Sequence, residues 1–435
     1  KKFKIKLWLV FTIATEQFPY SNLAHWPPLT YRNNSVSPLE SRGEFIDYLN
    51  VENTSKDSKE LQPWIPFCEG KCAFCYFPVN CERQIYSTYL IALKKALRLY
   101  SETKYVKSSD FGELYVGGGS PSVLSEEQIT DLLDFCNSTF NLTKDCQIKF
   151  TACTSSLTEN KIRVLSSYNV NQLDVGIQTF NTRLRGFLAL KDTAEEAKLK
   201  VKTIKRAGLG VSIDLLYNLP GQSLDEWEKD LNQALELDVE SVDCYPLDLY
   251  ANTPLARKIV SGEIDKPGDY RMELQMYLKA YQLFKENGYF PTCHNRFSRL
   301  KKDFEKPASE VIGSGAGFFM GTVGPFQYCD IENISEYIKS AENNVFPLAN
   351  LSKLSTDDEM KKSMMMLYVR VPVNREEFKL KFGVYPEYAF PDAVNNLINK
   401  GLIKQENGEL KLTEKGDPWR FNIAWEFFKN LEENK

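Results

Sequence analysis

Four of the ten cysteines lie close together in the stretch IPFCEGKCAFCYFPVNC, which runs from Ile65 to Cys81. Three of them, Cys68, Cys72 and Cys75, have the spacing C-x3-C-x2-C. A disulfide would leave one of these thiols over, and a closed zinc site needs a fourth ligand, for which Cys81 is the nearest candidate. Three thiolates on one tight loop can instead bind three irons of a [4Fe–4S] cluster and leave the fourth iron open. The spacing therefore predicts an iron–sulfur cluster on Cys68, Cys72 and Cys75.

An iron with an open position can bind a reactive cofactor. The amino and carboxylate groups of S-adenosylmethionine (SAM) can occupy that position, and one electron from the cluster then cleaves the sulfonium to a 5′-deoxyadenosyl radical. The cysteine spacing therefore favours a [4Fe–4S] cluster and SAM as cofactors. Such a protein also needs an electron donor, for example a flavodoxin or a ferredoxin.

Further candidate ligand-binding residues stand where predicted strands end. Gly117, Gly118 and Gly119 close the strand GELYVGGG, where the lack of a Cβ lets a ligand approach the backbone; a plain tight turn is the alternative. Asp214 follows a β-rich run and offers a carboxylate to ribose hydroxyls, unless it caps a helix. Gln178 offers a donor and an acceptor at the neighbouring strand end, and a core polar role is the alternative. We expect these residues to bind the cofactor.

Short β-rich runs alternate with longer amphipathic runs between Trp64 and about Gly288. The runs DCQIKFTA, VNQLDVGIQTF, GVSIDLLYNLPG and VESVDCYPLDLY predict strands, and SEEQITDLLDFCNSTF, which begins with Ser125 as a capping residue, predicts a helix. Repeated strand–helix alternation predicts right-handed crossovers and a parallel sheet, so the expected fold is α/β, a partial (β/α)6 TIM-like barrel. In such barrels the chemistry lies at the carboxyl ends of the strands.

The composition along the chain predicts four parts. Residues 1–62 contain several prolines and polar runs and predict an irregular N-terminal extension before the barrel at 63–290. Residues 291–350 contain ASEVIGSGAGFFMGTVG and predict a glycine-rich linker that covers the barrel. Residues 351–435 show a helix, a helix and a two-stranded wing, so we expect a mainly helical, winged-helix-like domain with a structural or substrate-covering role rather than DNA binding.

The overall composition limits the class of partner. The 435 residues are 43% hydrophobic and 26% charged with a formal net charge of −4, and no long block has a single charge sign, so we expect no nucleic-acid partner. An apolar run from Leu7 to Ile13 imitates a secretory signal, but it is short and leads into Glu16. We expect no membrane span, which needs roughly 20 apolar residues. Scattered cysteines favour a reducing, cytoplasmic location.

Together these motifs resemble a known family. The three cysteines, with Phe74 before the third, resemble the radical SAM superfamily, and IPFCEGKCAFCYF resembles more narrowly the oxygen-independent coproporphyrinogen III dehydrogenase family. The segments LYVGGGSPSVL (Leu114 to Leu124), DVGIQTFN and IDLLYNLPGQSLDEW match that family's motifs in the same order. The resemblance implies a barrel of the radical SAM type, with the glycines and Ser120 near the amino group of SAM and Asp214 near its nucleoside.

The chain departs from this family's pattern at several positions. Gln62 and Trp64 stand where the family has a tyrosine and a histidine, Thr151 stands where it has a glutamate, and Leu190 stands where it has an arginine. Phe77 replaces an extra cysteine of the decarboxylating members. Because the family uses these groups to position cofactors and propionates, the departures argue against coproporphyrinogen decarboxylation.

The C-terminal half resembles a different branch. CHNRFSR, the GSGAG loop and LTEKGDPWRFNIAWEFF look like the anaerobic haem-degrading methyltransferases, the anaerobilin synthases. Within this resemblance His294 is a candidate contact for substrate or iron, and Arg296 and Arg299 are candidate partners of propionates; ordinary structural or surface roles are the alternatives. Cys81 is a second catalytic candidate as a thiol close to the cluster, with a structural cysteine as the alternative.

The resemblances imply a radical SAM enzyme that acts on a tetrapyrrole. Our first expectation is a methyltransferase that moves a methyl or methylene group to an sp2 carbon of a haem-like substrate with two molecules of SAM. The first alternative is oxidative decarboxylation of coproporphyrinogen III, the reaction of an oxidoreductase. The second alternative is a haem-binding chaperone with the same barrel and cluster.

Overall fold

The computed structural model describes residues 18–28, 38–300 and 307–429. The run from Leu7 to Ile13, for which the sequence predicts no secretory signal, lies outside the described residues. Within the described ranges, every helix is too short or too polar to cross a membrane.

The described chain divides into two compact units. The larger unit is built on one large sheet and contains the cysteine loop, and the smaller unit contains a three-stranded sheet from the C-terminal part of the chain. The larger unit consists of residues 38–300, 307–362 and 369–371. The smaller unit consists of residues 18–28, 363–368 and 372–429. The predicted four-part division is finer than these units and stays a prediction.

The larger unit contains a twelve-stranded sheet. In chain order its strands are β1 (Lys59–Ile65), β2 (Phe111–Gly118), β3 (Leu142–Ala152), β4 (Gln172–Gln178), β5 (Gly210–Tyr217), β6 (Ser241–Pro246), β7 (Phe290–Pro291), β8 (Arg296–Ser298), β9 (Glu310–Ser314), β10 (Met320–Val323), β11 (Phe326–Asp330) and β12 (Leu348–Lys353). Their order across the sheet is β12-β11-β10-β9-β1-β2-β3-β4-β5-β6-β8-β7. Strands β1 to β6 are parallel neighbours, as the prediction of an α/β fold with a parallel sheet requires. Among the described strands, the end strands β12 and β7 do not pair with each other.

Helices connect successive parallel strands, as the alternating sequence pattern predicts, and further helices precede and follow these strands. In chain order they are α1 (Pro38–Leu49), α2 (Tyr86–Ser101), α3 (Lys104–Lys107), α4 (Glu126–Thr139), α5 (Glu159–Ser167), α6 (Thr182–Phe187), α7 (Ala194–Arg206), α8 (Leu224–Glu236), α9 (Pro254–Val260), α10 (Tyr270–Glu286), α11 (Ile334–Glu342) and α12 (Thr356–Met365). The predicted cap of α4 is confirmed: Ser125 and Gln128 form a capping box, in which each side chain accepts a backbone N–H that the helix leaves unpaired. The helices bury their apolar faces against the sheet, where Leu61 and Ile65 of β1 join one core with Tyr89 and Leu93 of α2.

The segment 291–350 differs from the predicted glycine-rich linker. It supplies β8 to one edge of the sheet and β9 to β11, with the start of β12, to the other edge. Strand β9 lies parallel to β1, with Gly313 opposite Gln62. A Cβ on Gly313 would collide with the backbone of Gln62, so glycine here permits close strand packing. The high glycine content therefore reflects tight packing within the sheet.

In the smaller unit three helices between residues 375 and 399, one more than the sequence pattern predicts, precede a two-stranded wing, and the winged-helix-like domain stays a prediction. Its strands are β13 (Val373–Asn374), β14 (Ile403–Glu406) and β15 (Glu409–Leu412), in the order β13-β15-β14, and its further helices are α13 (Arg375–Phe382), α14 (Pro386–Ala389), α15 (Pro391–Asn399) and α16 (Arg420–Glu426). Part of the predicted N-terminal extension packs here, because Ala24 N donates to Asn422 Oδ1 (3.0 Å) and Trp425 Nε1 donates to Trp26 O (2.9 Å).

Candidate functional site

The three predicted cluster ligands lie on the loop that follows β1, which we call the cysteine loop (residues 66–80). Its base is closed, because Asn80 N donates to Pro66 O (2.8 Å) and Cys68 N donates to Asn80 O (3.1 Å). Its middle is held by Ala73, whose N–H donates to Leu188 O (2.9 Å). These backbone contacts fix the loop at the carboxyl edge of the parallel sheet, where ligands of such sheets bind.

The glycine-rich end of β2 lies directly beside the cysteine loop. Gly119 N donates to Ile65 O (2.8 Å), and Ser120 N donates to Phe67 O (2.7 Å). A Cβ on Gly119 would come within 2.9 Å of the Cys68 sulfur. Contact with the cysteine loop is therefore itself a reason for glycine at this position, in addition to the predicted approach of a ligand.

The three cysteines have free, partly accessible thiols. Burial, followed by repulsion from neighbouring thiols, raises the pKa of Cys68 and Cys72 to about 12, and burial raises the pKa of Cys75. Thiolates that repel one another fit a cationic iron–sulfur core, which relieves the repulsion and releases the thiol protons on loading. Among the described residues, no three His, Cys, Asp or Glu side chains converge tightly enough for a single metal ion. A cluster does not require this, since each thiolate binds a separate iron.

A side-chain network joins the end of β3 to the cysteine loop. Ser155 Oγ donates to Glu69 Oε2 (2.7 Å), and Lys191 Nζ donates to Glu69 O (2.7 Å). Cys153, directly after β3, has its sulfur 3.1 Å from Ser155 Oγ. The sequence reasoning did not single out Cys153 or Glu69. The available signal was the position of Cys153 directly after a predicted parallel strand, at the edge where the chemistry lies.

A buried ion pair supports the same edge of the sheet. Arg185 Nη2 lies 2.6 Å from Asp192 Oδ1, and the two side chains are only 5% and 12% exposed. The Arg185 guanidinium also donates to two backbone carbonyls at the end of β4. Leu190, where the resembling family has an arginine, instead packs in a small apolar cluster with Phe74. The guanidinium group of Arg185 therefore has its hydrogen-bond partners within the protein itself.

One face of the sheet, which we call the inner face, carries polar and aromatic side chains that are partly accessible. The alternation is regular in β1, where Leu61 and Ile65 are buried and Glu60, Gln62 and Trp64 are partly accessible. The neighbouring strands add further partly accessible side chains on this face, namely Tyr115, Thr151, Gln178, Asp214, Tyr245 and Arg296. These side chains therefore leave part of their surface accessible on one face of the sheet.

Three carboxyl groups gather on this face, from β4, β5 and β6. Arg296 pairs with two of them, with Nε 2.8 Å from Asp243 Oδ2 and Nη2 3.4 Å from Asp174 Oδ1. Burial, followed by the negative charges of Asp243 and Asp174, raises the pKa of Asp214 well above its ordinary value of 3.8. The positive charge of Arg296 lowers this pKa, but by less. Asp174 and Asp243 are engaged by Arg296, whereas Asp214 is the carboxyl group that the sequence predicts near a nucleoside; that role stays a prediction.

Gln178 ends β4 with a strained backbone. Its φ of +66° lies in the left-handed region, and the register between β4 and β5 shifts between Gly176 and Gln178. The side chain folds back so that a Cβ on Gly176 would lie 2.7 Å from Gln178 Nε2. Such strain costs about 1–3 kcal/mol and is concentrated at functional sites. The strain agrees with the predicted ligand contact, which stays a prediction.

Aromatic side chains lie around the part of the cysteine loop that follows the third cysteine. Tyr76 stacks on Tyr250 with ring centroids 4.0 Å apart. Phe77 lies 5.4 Å from Phe318 and 6.3 Å from Trp64, measured between ring centroids. All five side chains are partly accessible. We call them the aromatic group; their accessible faces offer apolar contacts to a flat ligand.

The two catalytic candidates lie at the surface. His294 is exposed in the turn between β7 and β8, and its neighbour Asn295 accepts a hydrogen bond from Cys244 N of β6 (2.9 Å). This contact places the turn beside the carboxyl half of β6. Cys81 is exposed directly after Asn80, at the base of the cysteine loop. Neither residue therefore lies on the inner face of the sheet.

The two candidate propionate partners are already paired with carboxylates of the protein. Arg296 lies on the inner face of the sheet, as described above, with two aspartates. Arg299 pairs with Asp238 and lies over the ring of Tyr289, with 4.4 Å between the guanidinium carbon and the ring centroid. Because these charges are compensated, the structure does not offer the two guanidinium groups to propionates.

Residues 63–234 match the model of the radical SAM superfamily. This range contains the cysteine loop, the glycine-rich end of β2, Gln178 and Asp214. The superfamily uses a [4Fe–4S] cluster and SAM. The free thiols on one loop and the accessible inner face of the sheet fit these two cofactors.

Three curated relatives are similar over most of the chain. The haem chaperone HemW of Bacillus subtilis is 26% identical over 361 residues, which cover 81% of this chain and 94% of that protein. HemW of Lactococcus lactis is 27% identical over 375 residues, which cover 83% and 95%. The anaerobilin synthase of Escherichia coli is 24% identical over 372 residues, which cover 82% and 81%.

A solved structure has the same fold. Coproporphyrinogen III oxidase (HemN) from Escherichia coli, a radical SAM enzyme, superposes with a TM-score of 0.80 over 94% of this chain and 96% of that one. The two sequences are 18% identical, so the likeness concerns the fold alone. The matched domain, the parallel sheet with its helical C-terminal region and the named relatives agree with one another: residues 63–234 match the radical SAM superfamily, and the chain has a HemN-like fold.

Proposed function

We propose that the chain is a haem-binding radical SAM protein that carries haem as a chaperone and does not transform it. The observation that carries this proposal is the similarity to two HemW haem chaperones over 94% and 95% of their lengths. This function replaces methyl transfer, our first expectation, because more of each chaperone than of the anaerobilin synthase is covered by the similarity.

The aromatic group favours binding of a flat, apolar ligand next to the cysteine loop. Tyr76, Phe77, Phe318, Tyr250 and Trp64 come from three separate parts of the chain and meet directly after Cys75. A porphyrin ring offers a large flat face, and each well-placed aromatic contact contributes about 0.5–1.5 kcal/mol beyond the burial of area. A haem placed here would lie beside the proposed cluster.

The chain's own residues have defined roles in this proposal. Cys68, Cys72 and Cys75 hold the cluster, and Ser120 lies beside them, with its N–H donating to Phe67 O. Asp214 orients the nucleoside of SAM from the inner face of the sheet. When bound, the cluster supplies the electron for cleavage of SAM.

A second candidate function is methyl or methylene transfer to a haem-like tetrapyrrole. The similarity to the anaerobilin synthase over 82% of this chain favours it. Decarboxylation of coproporphyrinogen III has weaker support, because the likeness to coproporphyrinogen III oxidase is one of fold and Phe77 stands where the decarboxylating members have an extra cysteine.

Equilibrium titration with haem tests the proposal. The full chain, loaded with its cluster under anaerobic conditions, is titrated with haem and followed by absorbance. We expect saturable binding of one haem per chain, because the proposed site is a single patch. Absence of saturable binding would refute a haem chaperone.

A pair of matched variants locates the haem. Phe318→Ala removes a ring that packs against both Tyr76 and Phe77, so we expect the Kd for haem to rise about tenfold, which corresponds to about 1.4 kcal/mol. Tyr388→Ala removes an aromatic side chain that is 72% exposed in the smaller unit and should leave the Kd unchanged. Equal Kd values for the two variants would exclude the aromatic group as the haem site.

A further inference from the structure

We propose that Cys153 binds the cluster iron that Cys68, Cys72 and Cys75 leave open, and that SAM displaces it from that iron. The inference rests on the proposed three-cysteine cluster and adds a fourth ligand from the protein. A [4Fe–4S] cluster held by four thiolates has no iron free for an external ligand, whereas one held by three has an open iron. Cys153 would therefore control the access of SAM to the cluster.

The register of the sheet brings Cys153 to the cysteine loop. Strands β2 and β3 are parallel, with Val116 opposite Phe150. Continued by three residues, this register places Cys153 alongside Gly119. The Cβ position of Gly119 lies 2.9 Å from the Cys68 sulfur. The backbone of the sheet thus directs the fourth cysteine toward the first cysteine of the trio.

Hydrogen bonds hold Cys153 in this place. Its N–H donates to Ser122 Oγ (2.9 Å), on the segment that follows the glycines of β2. Its sulfur lies 3.1 Å from Ser155 Oγ, which donates to Glu69 Oε2 (2.7 Å). Glu69 directly follows Cys68. Two short contacts therefore connect the Cys153 sulfur to the cysteine loop.

A further observation favours a role for this thiol. The inward-facing residue before it on β3, Thr151, is uncharged and is hydrogen-bonded to Tyr115 Oη (2.9 Å). The end of β3 therefore presents a thiol to the cluster, and no carboxylate competes with it on the last inward-facing position of the strand.

The proposed step is an exchange of ligands without electron transfer. As the bond between iron and the Cys153 sulfur forms, the S–H proton passes to solvent. If the amino and carboxylate groups of SAM bind the same iron, the bond to Cys153 would break, and the proton that the SAM ammonium loses on binding would pass to the released sulfur. While SAM is absent, the fourth thiolate keeps the open iron from being lost.

Oxidation of the cluster in the full chain, loaded anaerobically and free of SAM, tests this exchange. Ferricyanide removes an iron that lacks a protein ligand and leaves a three-iron cluster that EPR detects. We expect the wild-type protein to keep all its iron, the Cys153→Ser variant to lose one iron and give the three-iron EPR signal, and Cys146→Ser, at the other end of β3, to behave as wild type. If the wild-type protein and Cys153→Ser lose the iron equally, Cys153 is not a ligand.

Labelling of thiols tests the same exchange in the wild-type protein, so the result does not depend on the folding of a variant. Iodoacetamide is added to the cluster-loaded chain with and without SAM, and labelled peptides are identified by mass spectrometry. We expect labelling of Cys153 to be low without SAM and to increase severalfold with SAM. Equal labelling in the two samples would overturn the proposal.

Two other outcomes separate this inference from the claims on which it rests. If Cys81→Ser, and not Cys153→Ser, opens the cluster to loss of iron, the fourth ligand is Cys81 and the proposal is wrong. If the wild-type chain takes up no cluster iron at all, the three-cysteine site fails together with the inference. If the cluster loads normally and the wild-type protein and Cys153→Ser lose iron equally, only the inference about Cys153 is wrong.

Discussion

Cys72 stands in the middle of the proposed ligand set, between Cys68 and Cys75 on a loop held at its base and its middle. Cys72→Ala removes one of the three thiolates of the cysteine loop, and the two that remain on the loop cannot hold a cubane stably, whether or not Cys153 supplies a further ligand. We therefore expect the iron and sulfide content of the anaerobically reconstituted protein to fall to near zero. Iron and sulfide analysis, together with visible absorbance, measures this loss.

Cys146→Ala is the matched control for this substitution. Cys146 is also a partly buried free thiol, but it lies near the start of β3, away from the carboxyl edge of the sheet. Its removal should leave the iron content at the wild-type level. Unchanged iron in Cys72→Ala would show that the ligand assignment is wrong.

At the residue scale, sites formed by residues close in sequence could be predicted, whereas sites formed by long-range contacts could not. The three cysteines could be identified because a shared loop brings together residues that are near in sequence. Cys153 could not, because it is far from the loop along the chain and reaches it only through the pairing of β2 with β3. Arg296 was expected at a propionate, yet strand pairing between β6 and β8 places it beside Asp243.

Strand β2 ends in a glycine that the packing of the sheet requires. Gly118 has a φ of +120°, and a Cβ there would lie 2.8 Å from Ile65 N and closer still to the Ile65 carbonyl. Gly118→Ala would force β1 and β2 apart where the cysteine loop begins, at a cost of about 2 kcal/mol or more. We expect a lower thermal midpoint and a lower cluster content than in the wild-type protein.

Gly112→Ala on the same strand controls for the change from glycine to alanine. A Cβ on Gly112 meets nothing within 4 Å, and its φ is not in the left-handed region. We expect this variant to have a thermal midpoint at or slightly above that of the wild-type protein, since alanine restricts the unfolded chain by about 0.4–1 kcal/mol. Equal behaviour of the two variants would mean that the end of β2 does not position the cysteine loop.

Strand β11 ends in a buried carboxyl group that makes stability depend on pH. Asp330 is 2% exposed, and its Oδ2 accepts hydrogen bonds from Ser314 Oγ (2.5 Å) and Gly315 N (2.9 Å). Burial nevertheless raises its pKa from 3.8 to about 7. Between these values the folded state holds a proton that the unfolded state releases, so the free energy of unfolding falls as pH rises through this window, by at most about 4 kcal/mol.

Asp330→Asn removes this titration and keeps the shape of the side chain. The free energy of unfolding, measured by denaturant titration across the same window, should fall less steeply with pH than in the wild-type protein. Some slope should remain, because burial also raises the pKa of Glu60 to about 8. Asp110→Asn, on an exposed carboxylate, should leave the slope as in the wild-type protein. An unchanged slope in Asp330→Asn would exclude Asp330 as its source.

At the element scale, the sequence predicts the repeated strands and helices of the parallel sheet well. Alternating apolar runs and capping residues such as Ser125 are local signals, and the structure shows the parallel strands β1 to β6 that they imply. Strands β9 to β11 were missed because their glycines indicated a loop. Those glycines are required by close packing, as Gly313 against Gln62 shows, and close packing between distant segments leaves no local pattern.

At the scale of the whole molecule, similarity over most of the chain separates the possible functions better than the motifs do. The motifs around Cys68 and Asp214 predict the cofactors and not the fate of the substrate. In the proposed function, that fate depends on the inner face of the sheet and on the aromatic group. Only the distant chain segments together form these surfaces.

The fate of bound haem distinguishes a haem chaperone from a methyltransferase most directly. The full chain, loaded with its cluster, is incubated anaerobically with haem, SAM and a reductant, and the tetrapyrrole and nucleoside products are identified by mass spectrometry. We predict that haem stays bound and is recovered with its mass unchanged, with little 5′-deoxyadenosine formed in response to haem. A methylated or ring-opened tetrapyrrole, formed together with 5′-deoxyadenosine and S-adenosylhomocysteine, would contradict the chaperone function and establish methyl transfer instead.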